Sequence, residues 1–217
     1  VLAWPGQGTL GNLVCKYHGW AFGWDGNLKS ARDFGNEEPL CAEHSELKKI
    51  QVETWGPLVF VHLGEPAESL IDSLGGLIAK TESFPVETFS YARRMTRELA
   101  CNWKTFWENY SECLHCPGIH PELCDMVPIY GKGIMGQSEA LGWTPEEQAR
   151  PNLRAGATSW TESGQPCGPV FPGLSDAERL AGYNFVTLWP STYIVAHVDY
   201  VRSVRIQPLA PERTRLI

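Results

Sequence analysis

The stretch Asn102–His115 restricts the possible folds of this chain more than any other. At about 100° per residue, Trp103, Phe106, Trp107, Tyr110 and Leu114 fall on one side of a helix, and Glu108, Glu112 and His115 on the other. So large an aromatic stripe has to be buried, which requires a second layer of structure. Cys116-Pro117-Gly118 follows and is expected to end the helix, because proline disfavours helical backbone at the residue before it. Pro121, just after His120, can open a new helical turn. On an unbroken helix His115 and His120 would point about 140° apart, so the Pro-Gly break is what lets the two imidazoles converge. Converging neutral imidazoles suit Fe(II) when one carboxylate completes the set and positions stay open for O2. The alternative for the Glu108, Glu112, His115 stripe is a solvated helix face.

The rest of the chain reads as α+β. Leu13–Tyr17 is a short strand, and Trp20–Leu28 is a hairpin turning at Asp25-Gly26. Ile50–Trp55 alternates, and Pro57–Leu63 reads as a more buried strand. Gly64-Glu65-Pro66 breaks the chain, giving a small antiparallel β domain over 1–63 and a mixed domain over 64–217. In the second, 67–80 is expected to be a helix and 88–99 a strand. Residues 136–182 read as long loops, and 185–189, 193–198 and 201–206 as antiparallel strands. Both ends read as cut, since Val1 opens without a cap or strand and the last residues begin an apolar segment.

A net charge of −7 repels phosphate backbones, which excludes nucleic acid as a partner class. No apolar run approaches the roughly 20 residues of a membrane helix. The seven cysteines, an odd number at irregular spacing, favour reduced thiols in the cytoplasm, some of them metal ligands, over a secreted disulfide framework.

A second chemical motif lies in the β domain. Cys15 and His18 stand three positions apart beside Gly19, which permits a tight backbone turn. A thiolate and an imidazole so placed can bind metal from a turn; a buried cysteine with an incidental surface histidine is the alternative. The run Leu13-Val14-Cys15-Lys16-Tyr17-His18-Gly19-Trp20 resembles the second half of the Rieske signature. The string Asn102-Trp103-Lys104, Glu108-Asn109-Tyr110, Glu112-Cys113-Leu114-His115-Cys116 and His120-Pro121 resembles the mononuclear iron motif of Rieske non-haem iron oxygenases.

The resemblance implies the large catalytic subunit of such an oxygenase, carrying a [2Fe–2S] Rieske cluster and a mononuclear Fe(II). It assigns Cys15 and His18 to the cluster and His115 and His120 to the mononuclear iron, with Trp20, Glu108 and Asn109 as supporting residues. The Cys-x-His half of the Rieske signature would fall upstream of Val1, with Cys41 too far downstream to replace it. The family's third ligand, an Asp, would fall beyond Ile217. Glu112 takes the place of the acid that links the mononuclear His of one subunit to a Rieske His of its neighbour. That link implies a homotrimer or an α3β3 assembly. Electrons would come from NAD(P)H through a reductase or ferredoxin.

For the substrate, a small organic molecule, the resemblance leans toward oxygenases of quaternary ammonium compounds such as choline, glycine betaine, stachydrine or carnitine. The bridging acid is Glu, Cys116 follows the first His, Pro121-Glu122-Leu123 follows the second, and Val195–Val201 looks like a stretch of those enzymes. Within that stretch His197 and Asp199 read as sheet residues. Aromatic ring dihydroxylation, as in aromatic compound catabolism, is the rival. A non-catalytic Rieske electron carrier would not need the 102–120 segment. A structural zinc site from Cys113, His115, Cys116, His120 and Cys124 has suitable donors but lacks a second Cys-x2-Cys pair.

Overall fold

Three sheets and a few short helices, all strand neighbours antiparallel, make up the computed structural model, which describes residues 2, 8–32, 45–135 and 152–217. The fold is α+β, as the sequence leads one to expect, and it divides into two units, Val1–Ser73 and Leu74–Ile217. Cys41 and residues 136–151 of the expected loop segment lie outside the described residues.

In the first unit, β1 (Leu13–Val14), β2 (Ala21–Phe22) and β3 (Leu28–Ser30) form one sheet, with Leu13 opposite Phe22 and Val14 opposite Ala21. Asp25 fixes the β2–β3 turn by accepting from the Asn27 backbone N–H at 3.0 Å. A separate hairpin pairs β4 (Gln51–Trp55) with β5 (Leu58–His62). Here β5 departs from the expected buried strand. Val59 and Val61 are each 67% exposed, because this ribbon has only its partner strand and its Val52/Val59/Val61 face is not covered within the unit.

The expected helix over 67–80 is two pieces, α1 (Leu70–Leu74) and α2 (Leu77–Thr81), split at Gly75, whose φ of 51° belongs to no right-handed helix. The expected strand over 88–99 shrinks to β6 (Arg97–Leu99), the only part of it that finds a partner strand. The second unit is built on β6 with β7 (Tyr183–Leu188), β8 (Thr192–His197), β9 (Val201–Ala210) and β10 (Arg213–Leu216), in the order β6-β10-β9-β8-β7.

Register sorts the side chains of this sheet. Phe185 faces Val195, which faces Arg202, while Tyr183 pairs with His197 and Tyr193 with Val204. Tyr183, Phe185, Tyr193, Val195, His197, Arg202, Val204 and Ile206 therefore share one face. The helix α3 (Trp103–Tyr110) covers it: Trp103, Phe106, Trp107 and Tyr110 pack on Tyr193, Val195 and Ile206. Ala196, Val198 and Val201 occupy the other face, under Phe84, Phe89, Phe171 and Leu174. Asn102 caps α3 by accepting from Lys104 N at 2.9 Å, and the Trp107 indole donates to Pro190 O at 2.8 Å.

Within the expected loop region lies one further helix, α6 (Asp176–Ala181). It opens on a capping box formed by Ser175 and Glu178 and closes at Gly182 in the left-handed region, where a Cβ would run into Leu153.

Candidate metal-binding site

The helix α3 stops at Tyr110, five residues short of the His115 that its periodicity suggests. Ser111–Leu114 forms a turn, and Cys116-Pro117-Gly118 opens the short helix α4 (Cys116–Ile119) rather than terminating α3. Proline fits there because the first turn of a helix needs no partner for its missing N–H. Leu114, beyond the end of α3, leaves the aromatic stripe and is 80% exposed. His120 is the joint between α4 and α5 (Pro121–Met126), with φ −126° and ψ 61°.

This double break brings the two histidines together. The rings of His115 and His120 lie 5.4 Å apart, inclined at 76°. His115 Nδ1 is 2.5 Å from Glu112 Oε1, and the other Glu112 oxygen accepts from the Leu114 backbone N–H. Hydrogen bonding to His115 is the chief reason the Glu112 carboxyl sits below the usual carboxylate range. Glu112 thus acts on His115 from a turn, not from the adjacent helical turn that the sequence suggests. With Nδ1 engaged by the carboxylate, His115 presents Nε2 as a lone-pair donor. His120 Nδ1 is 3.9 Å from Glu122 Oε1. Glu108 and Asn109 are exposed on α3.

Two imidazoles, one oriented by a carboxylate, fit part of an iron donor set. Among the described residues no three His, Cys, Asp or Glu side chains are grouped to hold an ion, so these two imidazoles are a partial set. A zinc site does not form here, because Cys113 and Cys116 are bonded to each other as a disulfide, buried beside Met126, Val127 and Tyr130. This corrects the expectation of reduced thiols for these two residues. The turn between α3 and α4 sets their Cα atoms 5.0 Å apart, within disulfide range. Cys15, Cys101, Cys124 and Cys167 are free.

The Cys15–His18 motif occupies the tip of the β1–β2 hairpin. Cys15 N donates to Trp20 O at 2.7 Å and Gly19 N to Cys15 O at 2.8 Å, with Gly19 at φ 75°. Backbone N–H groups, Tyr17 first and then His18, hold the Cys15 thiol below its ordinary range, which suits a thiolate ligand. His18 is exposed, its ring 3.9 Å from that of Tyr17.

Sequence reasoning leaves His197 and Asp199 as sheet residues. His197 ends β8, but Asp199 lies in the bend between β8 and β9, and the pairing register, which brings His197 and Arg202 onto the aromatic face, is a tertiary property that strand periodicity does not carry. Among the described residues no helix is long and apolar enough to cross a membrane.

Comparison with known proteins identifies the family. The family described as ring hydroxylating alpha subunit (catalytic domain) matches residues 86–217, more than half of the chain. The carnitine monooxygenase oxygenase subunit of Escherichia coli K12 is 37% identical over 127 residues, which is 57% of this chain and 34% of that protein. The glycine betaine monooxygenase oxygenase subunit of Pseudomonas aeruginosa UCBPP-PA14 is 39% identical over 119 residues, 54% of this chain and 27% of that protein. The aligned stretch therefore spans about a third or less of these relatives' length. A quaternary ammonium Rieske monooxygenase of known structure, described with carnitine oxidation by gut microbiota and inter-subunit electron transfer, has the same fold. Its TM-score is 0.65 at 22% identity, covering 99% of this chain and 54% of that one. The chain belongs to the ring-hydroxylating alpha-subunit family, of which residues 86–217 are catalytic-domain sequence.

Proposed function

We propose that this chain is part of the oxygenase subunit of a Rieske non-haem iron oxygenase that hydroxylates or N-demethylates a small quaternary ammonium compound. The observation that carries the reading is the Glu112 carboxylate 2.5 Å from His115 Nδ1, beside the ring of His120. In this reading His115 and His120 hold the mononuclear iron, and Cys15 and His18 supply half the ligands of the [2Fe–2S] cluster. When bound, the iron supplies O2 activation and the cluster supplies electrons. Glu112 fixes the ring plane and tautomer of His115. Its carboxylate also joins that ring to a Rieske histidine of a neighbouring subunit, which requires a trimer or an α3β3 assembly. A reductase or ferredoxin fed by NAD(P)H is the electron source, and the cytoplasm is the compartment. Relatives 37% and 39% identical that bear carnitine and glycine betaine names support this substrate class over an aromatic ring.

The test is Glu112→Gln in the full-length protein. The amide keeps the shape but loses the charge that orients the imidazole. The variant should retain both metals and lose coupled turnover of a quaternary ammonium substrate. Turnover at the wild-type rate would refute the bridging role.

A further inference from the structure

The aromatic face of the five-stranded sheet carries polar groups that the fold leaves unanswered. His197 is 1% exposed, and neither of its ring nitrogens has a hydrogen-bond partner among the described residues. The buried hydroxyl of Tyr110 is in the same position, whereas that of Tyr130 has the Tyr183 hydroxyl beside it. Burial pushes the His197 pKa down to about 3, so the ring is neutral and offers one donor and one acceptor. Buried polar atoms without partners are costly and rare, which marks this face as one that meets something besides protein.

The same face carries one cation without a partner among the described residues, while the Asp199 carboxylate, whose charge also reaches His197 and Tyr200, accepts from the Ser159 hydroxyl and the Cys167 N–H. Arg202 lies opposite Val195 on β9 and so shares the face of Tyr183, Tyr193 and His197. It is exposed, and among the described residues it makes no hydrogen bond or ion pair. Its charge reaches Tyr110, Tyr130, Tyr193, His197 and Tyr200, the residues around the unpartnered groups. The same face carries a set of packed rings: Trp160 has the ring of Tyr183 at 4.8 Å and that of His197 at 5.4 Å, and Tyr200 stacks on His197 at 4.2 Å. Trp160 and Tyr183 also pack against the cluster containing Cys113 and Cys116, the cysteines flanking His115, so this face adjoins the segment that carries the paired histidines.

Two chemistries thus share one sheet face. A planar guanidinium with free donors matches a carboxylate, often through two hydrogen bonds at once. Aromatic faces attract a quaternary nitrogen. A lone cation placed here would be repelled by the unpaired Arg202, whereas a zwitterion satisfies both groups. We propose that Arg202 binds the carboxylate of a zwitterionic substrate, a trimethylammonium group and a carboxylate on one short carbon chain, and so selects it over a trimethylammonium alcohol. This inference rests on the quaternary ammonium reading above and narrows it.

The test is calorimetric titration of the full-length protein with glycine betaine and with choline, without reductant so that no turnover occurs. Wild type should prefer glycine betaine. Arg202→Gln should weaken glycine betaine about 10- to 100-fold and leave choline unchanged or slightly tighter. Arg202→Lys keeps the charge without the fork and should fall between; it also serves as the variant if Arg202→Gln does not fold. Equal affinity of Arg202→Gln and wild type for glycine betaine would overturn the role of Arg202 and leave the quaternary ammonium reading intact. So would a wild type that binds choline as tightly as glycine betaine. A wild type that binds naphthalene and neither amine would overturn both.

Discussion

The perturbation that tests the packed face most simply is protonation of His197. Its neutral ring is sealed between Tyr200, stacked at 4.2 Å, and the edge of Trp160 at 5.4 Å. Burial is the main cause of its depressed pKa of about 3 against an ordinary 6.5; the Arg202 charge adds to the effect and Asp199 opposes it. The unfolded chain takes up a proton near pH 6.5 and the native ring does not until about pH 3. Stability from this group is thus fully present above 6.5, falls as pH drops between 6.5 and 3, and levels off below. Between pH 7 and pH 5 the loss is about 2 kcal/mol, since each pH unit in the window is worth about 1.4 kcal/mol. Urea unfolding at both pH values, on wild type and His197→Phe, isolates it. The variant keeps the ring packing and removes the titration, so its stability should fall about 2 kcal/mol less over that interval. A difference under about 0.5 kcal/mol would refute the sealed, neutral imidazole.

Two further substitutions probe the scaffold that positions the site. Trp107, 3% exposed and donating to Pro190 O, anchors α3 to the sheet, so Trp107→Ala should cost about 3–5 kcal/mol in denaturant unfolding. A loss under about 1 kcal/mol would mean that α3 does not depend on that anchor. Ser175→Ala removes half of the capping box of α6 and should cost about 0.5–2 kcal/mol, with faster amide exchange in residues 176–181. Unchanged exchange there would contradict the cap.

The aromatic stripe of α3 was legible because 3.6-residue spacing is a local property, and Trp103, Phe106, Trp107 and Tyr110 all pack as it requires. The convergence of His115 and His120 was legible too, although the route to it differs: the helix ends at Tyr110, and Pro117 opens a helix where it was expected to end one. Periodicity cannot date the end of a helix when a turn such as Ser111–Leu114 keeps the same spacing of polar residues. The capping box at Ser175 was readable in Ser175-x-x-Glu178 but hidden among loop-rich composition. β10, with Arg213, Thr214 and Arg215, has little of the apolar alternation that marks a strand, and only its pairing with β6 and β9 reveals it. The Cys113–Cys116 bond was not legible, because the same spacing serves thiols, metal ligands and disulfides alike.

The central claim is that His115 and His120 hold one iron, distinct from the cluster served by Cys15 and His18. Iron content, read together with the visible absorbance of the cluster, tests it directly on His115→Ala in the full-length protein. Loss of the mononuclear iron with the cluster spectrum unchanged is the predicted result. Retention of all the iron would contradict the assignment of His115 as a ligand.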